Sequence, residues 1–234
     1  MIFQWFLRGI NDNDGSLDEH WAKRVLNIEG LRSAWLRANG GSDPADWDQA
    51  VNYADSLLWH IRRFDDFGFP AWPKNPYRAL SPFLSVSSGT VEPDHQKGRN
   101  QQYPAWYTAV KFATADGYGS GWVFHGYVSI LGRPSLPLLE FSEEVRDLNQ
   151  YDFYNKYHPE GELAAKVLVP PVRLKEAFKV TADKYWEWVG EVENGEDRTS
   201  AKSPLQLLSD LSDKVLPGDS YQPPEEFSNI RDLR

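Results

Sequence analysis

Ile2-Phe3-Gln4-Trp5-Phe6-Leu7-Arg8-Gly9 opens the chain as an apolar, aromatic run that stops on an arginine and a glycine. Residues 2–8 read as a strand. Working outward, two later stretches answer it. Phe83-Leu84-Ser85-Val86-Ser87 reads as a short buried strand carrying two hydroxyls on alternate residues. Glu160-Gly161-Glu162 leads into the apolar Leu163 to Val169, with two carboxylates that share a face if the segment is extended. An arginine beside a glycine can hold a phosphate. Paired serines at a strand can orient a site, and paired acids can share acid–base work.

Between these stretches the chain alternates helix signals with turn chemistry. Asn11 to Gly15 is a turn. Ser16-Leu17-Asp18-Glu19 has the pattern of a capping box, predicting a helix to about Ala38 that ends at Gly40-Gly41. From Pro44, the residues Trp47, Ala50, Val51, Ala54, Leu57, Leu58 and Ile61 recur at helical spacing and form a core face. Residues 70–82 are an irregular, proline-rich connection, and 89–104 read as a mobile polar loop. Tyr103 to Ala115 reads as a helix with Phe112 in the core, and Trp122 to Ile130 as a strand after a glycine turn. Leu138 to Phe141 continues the sheet, and 142–161 form a charged, aromatic surface loop. Glu162 to Val169 and Arg173 to Thr181 are further strands. Residues 183–199 grow acidic, Pro204 to Leu216 is an amphipathic helix, and the stretch from Pro217 is an arm or tail.

Composition limits the classes open to the chain. With 41% hydrophobic residues in 234, it has the material for a packed core rather than a disordered one. A formal charge of -9 argues against a broad basic surface for nucleic acid, without excluding brief contact with RNA or DNA. Zero cysteines rule out disulfides and thiolate metal sites. His125 and His158 lack metal-ligand spacing, so no metal is expected. The first residues lack the basic start and the length of a signal peptide, and no apolar run reaches the roughly 20 residues of a membrane span. A soluble, cytoplasmic protein with no membrane partner is the expectation.

Taken in order, the three stretches resemble the motifs of the mono-ADP-ribosyltransferases of the arginine–serine–glutamate, cholera-toxin-like class. The aromatic-x-Arg-Gly element is Phe6-Leu7-Arg8-Gly9, and the Ser-Thr-Ser-like strand is Phe83-Leu84-Ser85-Val86-Ser87, with Val86 where threonine is usual. Ala109-Val110-Lys111-Phe112-Ala113 fits the helix that follows, and Glu160-Gly161-Glu162 with Pro170-Pro171 fits the third motif. The likeness runs over about residues 3–181, and departs in the long helical region after the first motif and in the 89–104 loop.

The resemblance implies an α+β fold: an ADP-ribosyltransferase-like split β-sandwich of two small, roughly perpendicular antiparallel sheets. NAD would lie in their cleft, with helices packed on one side. Residues 1–200 would form the catalytic domain and 201–234 a C-terminal helix and tail. Arg8 would grip the NAD pyrophosphate or ribose, and Gly9 would let the backbone approach the nicotinamide amide. Ser85 would bond near the nicotinamide ribose and hold Glu162, supported by Ser87. Glu162, bonded to the ribose 2′-hydroxyl, would stabilise the positive charge that grows on the sugar as nicotinamide leaves. Glu160 would orient or deprotonate the acceptor, and Tyr154 and Tyr157, with Tyr151 and Phe153, would recognise it by stacking.

The acceptor would be a macromolecule, either protein arginine or a nucleic-acid base. Enzymes of this kind serve as toxins, effectors or phage-defence factors, which implies an inhibitory antitoxin or immunity partner. Taken singly, each residue also has a plainer reading: a surface arginine, a turn glycine, edge-strand serines, solvated acids, and tyrosines packing a long loop. Two other functions stay open: an NAD glycohydrolase with water as acceptor, and a non-catalytic module with an aromatic groove for a sugar, peptide or base.

Overall fold

The computed structural model describes residues 2–40, 46–47, 50–51, 60, 81–88, 105–131, 145–147, 162–193, 203–224 and 229–233. The fold is α+β. Its frame is a sheet in which β1 (Ile2–Asn11) pairs along its full length with the antiparallel β4 (Gly121–Leu131). β4 continues to β8 (Leu174–Val180) and then to β9 (Ser212–Pro217). On the other flank β3 (Phe83–Ser87) pairs with β6 (Glu162–Lys166), and β6 with β5 (Val145–Asp147). A last strand, β10 (Asn229–Arg231), runs parallel to β1 at Ile2 to Gln4. β2 (Leu31–Arg32) and β7 (Leu168–Val169) form a separate two-stranded ladder. The two flanks of the main sheet meet through a single register pair, Leu7 with Ser87. This narrow seam positions the site.

Alternation along the strands separates two cores. Phe6 and Phe124 point into a cluster with Ala22, Val25, Leu84, Val86 and Leu163, beneath α1 (Glu19–Arg24) and the π-helical turn Val25–Glu29. Their neighbours Leu7 and Val123 point the other way, against α3 (Ala105–Ala113) and α5 (Pro204–Leu211). Helices therefore cover both faces of the sheet rather than one. Full burial of Phe6 and Leu7 contributes about 1.5–3 kcal/mol each. A third cluster joins Trp35 and Leu36 of α2 (Ala34–Asn39) to Ala50, Val51 and Phe83. Of the apolar stripe expected from Trp47 to Ile61, the described members Ala50 and Val51 are buried and Trp47 packs against them.

Several local expectations are corrected. The helix is capped by Asp18, whose Oδ1 accepts from the Trp21 amide at 2.8 Å, rather than by a Ser16–Glu19 box. Ser16 turns its own amide to Asp14 Oδ1. The helix does not run to Ala38. It loosens into the π-helical turn and stops at Gly30, where a φ of 71° and the clash that a Cβ would make with Val169 O suit glycine alone. Leu31 and Arg32 then pair with β7. The amphipathic helix from Pro204 ends at Leu211, because Ser212 to Pro217 satisfy their backbone against β8. The acidic stretch from Ala182 is a helix, α4 (Ala182–Glu193), and Val145–Asp147 is a strand inside the expected loop. Phe112 is 52% exposed, not core. The 89–104 loop and Leu138 to Phe141 lie outside the described residues. No helix among the described residues is long and apolar enough to cross a membrane.

Candidate functional site

The seam between β1 and β3 brings the first two motifs together. Arg8 is one residue past the Leu7–Ser87 pair, and its Nη1–H donates to the main-chain oxygen of Ser85, 77 residues away in sequence. A planar guanidinium held by a carbonyl keeps a fixed orientation, which a lysine ammonium would not. Ser85 is the exposed residue in an otherwise buried strand, and Ser87 is buried beside it. The third motif joins through the next ladder. Ser87 pairs with Glu162 and Ser85 with Ala164, so Glu162 opens β6 at the register position opposite the second serine.

A residue that the sequence reading passed over completes the cluster. His60 Nε2 lies 3.1 Å from Ser85 Oγ, and its Nδ1 lies 2.7 Å from Ser81 Oγ. Ser81 Oγ in turn accepts from the Phe83 amide at 3.0 Å, so the imidazole ties the strand's start to its exposed serine. Burial pushes the His60 pKa down to about 3, and the positive charge of Arg8 pushes the same way. At neutral pH the ring is therefore uncharged: one nitrogen donates and the other accepts, and the positive charge at the seam belongs to Arg8. In sequence His60 lies beside the apolar stripe that ends Leu57, Leu58 and Ile61. That placement is a weak signal, because polar residues on the border of an apolar stripe are commonplace.

Gly9 has a packing reason for its identity. A Cβ there would run into Ala109 O and come within 2.7 Å of the Ala113 amide nitrogen, so α3 crosses β1 directly over it. Glu160, Tyr154 and Tyr157, with Tyr151, Phe153 and His158, lie outside the described residues. Among the described residues no group of three or more His, Cys, Asp or Glu could hold a metal ion.

His125 sits elsewhere, beneath Trp5. Its buried ring contacts Glu176 Oε1 through Nδ1 at 2.8 Å and lies against Trp5 with centroids 4.7 Å apart and the rings tilted by 39°. Burial lowers the His125 pKa against the opposing pull of Glu176, while the hydrogen bond from His125 lowers that of Glu176. The pair links neighbouring positions of β4 and β8, where His125 and Glu176 are register partners.

No family model matches the chain, and no curated protein matches it. Among solved structures, the chain aligns with EcPltA at a TM-score of 0.41 and 12% identity, covering 98% of this chain and 93% of that one. A likeness of that degree assigns neither a fold nor an activity.

Proposed function

We propose that the chain transfers ADP-ribose from NAD to a macromolecular acceptor and releases nicotinamide, using a split-sheet cleft of the ADP-ribosyltransferase kind. One observation carries this reading. Three motifs separated by about 75 residues each lie on the adjacent strands β1, β3 and β6, with Arg8 bonded to the Ser85 carbonyl and Ser87 the register partner of Glu162. A guanidinium beside a neutral imidazole suits a dianionic pyrophosphate, because the cation is held in place without a second charge to repel it.

When bound, NAD supplies the electrophilic anomeric carbon and the nicotinamide leaving group. In this proposal Arg8 binds the pyrophosphate and orients the dinucleotide. Ser85, held through His60, positions the ribose. Glu162 accepts the ribose 2′-hydroxyl and stabilises the positive charge developing on the sugar. Glu160, two residues earlier, orients the acceptor nucleophile and takes its proton. The acceptor is protein arginine or a nucleic-acid base, and an inhibitory protein partner follows from the danger of such an activity to its host.

The test is nicotinamide release from NAD by the purified protein. Glu162→Gln, which keeps the shape and removes the charge, should slow it by about 10²–10³-fold. Absence of nicotinamide release in the parent protein would refute the reading. Glu160→Ala should abolish transfer of labelled ADP-ribose to lysate while sparing NAD cleavage; NAD cleavage unchanged by Glu160→Ala, with no label transferred by either protein, would favour the glycohydrolase. Label that survives protease but not nuclease would assign a nucleic-acid acceptor.

A further inference from the structure

Val167 is a β-branched residue in the left-handed region, with φ of 55°. Such side chains are rare there, because the Cβ is pressed against the carbonyl oxygen that follows. The conformation persists where the surroundings impose it, and it gathers at functional sites. Val167 is 2% exposed and stands between β6 and β7, where the chain leaves the main sheet for the two-stranded ladder. Lys166 before it is the register partner of Phe83, and Leu168 after it is the partner of Arg32.

The strain has a geometric cause. In an extended residue of an antiparallel pair, the N–H and the C=O point to the same neighbouring strand. At Val167 they part. Its amide donates to Pro82 O at 2.8 Å, one residue before β3, and its carbonyl accepts from the Ser33 amide, also at 2.8 Å, at the N-cap of α2. The left-handed turn thus hands the chain from one sheet to the other within one residue. Glycine would take that turn without strain. Valine instead adds a side chain to the cluster of Trp35, Leu36, Ala50, Val51 and Phe83. A third bond, from the Trp35 amide to Ser81 O at 3.1 Å, closes the junction, and Ser81 is the serine that contacts His60 Nδ1. The junction therefore ties α2, the start of β3 and the end of β6 together. Glu162 opens the same β6 at its other end, opposite Ser87.

We propose that Val167 is a positioning residue: a strained joint that holds β6 in register on β3 and so sets Glu162 opposite the second serine. The strain and the two backbone bonds that oppose it are of similar size. Losing one bond lets the residue relax to the extended region, turns its carbonyl away from Ser33 and loosens β6. The effect on turnover rests on the transferase reading; the effect on the strand does not.

The experiment is amide hydrogen exchange of the full chain, read by NMR at Leu163 to Val167 without NAD, together with nicotinamide release. Val167→Gly and Val167→Ala both lose the isopropyl group, but only alanine keeps the strain. The glycine variant should exchange about fivefold more slowly at those amides than the alanine variant. That reverses the usual order in a strand, where glycine is the looser residue. Ser33→Pro deletes the amide that reaches Val167 O and suits the Ser33 φ of -62°, whereas Ser33→Ala loses the same side-chain cap and keeps the amide. The proline variant should exchange about tenfold faster than the alanine variant, the loss of one buried backbone bond. Its kcat for nicotinamide release should be at least tenfold below that of Ser33→Ala with KM for NAD within twofold, because a misplaced group slows turnover rather than binding. Exchange in Val167→Gly as fast as in Val167→Ala, or equal exchange in the two folded Ser33 variants, would overturn the joint; the Val167 pair decides if Ser33→Pro does not fold. Faster exchange with an unchanged kcat would overturn the positioning of Glu162. A parent protein that releases no nicotinamide defeats the transferase reading alone, since exchange along β6 decides the joint.

Discussion

Replacing His60 by glutamine should remove a defined part of the protein's acid sensitivity. The unfolded ring titrates near 6.5 and the folded ring near 3, held neutral by burial and by Arg8. Between pH 7 and pH 5 the unfolded state therefore takes up a proton that the folded state refuses. A group whose folded pKa is depressed in this way contributes instability that grows as pH falls below the unfolded value. Integrated over that interval the loss is about 2 kcal/mol, and it depends almost wholly on the unfolded-state titration, because the folded ring stays neutral throughout.

Glutamine can bridge Ser81 and Ser85 but cannot protonate. Urea unfolding at both pH values measures the effect, with about 1 M difference in the midpoint shift for a slope near 2 kcal/mol/M. His125 and Glu176 also have lowered pKa values and also destabilise the fold as pH falls, but they do so equally in both proteins. The quantity to compare is thus the pH dependence of the parent minus that of His60→Gln. If the two proteins lose the same stability between pH 7 and 5, the half-buried neutral ring and its bridging role are wrong.

Two further outcomes depend on the same seam. Arg8→Lys replaces an oriented fork by a point charge and loses the geometry of the Ser85 bond; the KM for NAD should rise about tenfold with little change in thermal midpoint, and an unchanged KM would remove Arg8 from NAD binding. Gly9→Ala drives a methyl into the backbone of α3 and should cost about 1–3 kcal/mol, read as a lower unfolding midpoint; a neutral result would mean that α3 does not lie directly against β1.

Much of the frame was legible because its signals are local. The run to Arg8, the short strand Phe83–Ser87 and the segment after the glycine turn all form the elements their patterns predict. The misread stretches are those where a distant neighbour overrides a local preference. Val215 and Leu216 continue a helical spacing, yet they serve β8 as an edge strand. Leu31 and Arg32 break a helix because β7 takes their backbone bonds. Phe112 fits a core position by spacing, yet it is half exposed. His60 carried no pattern of its own, and its importance comes from the serines on either side of its ring.

The amino-acid order alone settled the strands Ile2–Asn11, Phe83–Ser87 and Gly121–Leu131 and the residues that end them, since side-chain alternation and turn chemistry act over a few residues. Tertiary pairing settled that Arg8 reaches Ser85 and that Ser87 faces Glu162 across a ladder. Each of those meetings spans more than 70 residues of chain, and register between distant strands depends on burying both faces of the sheet together.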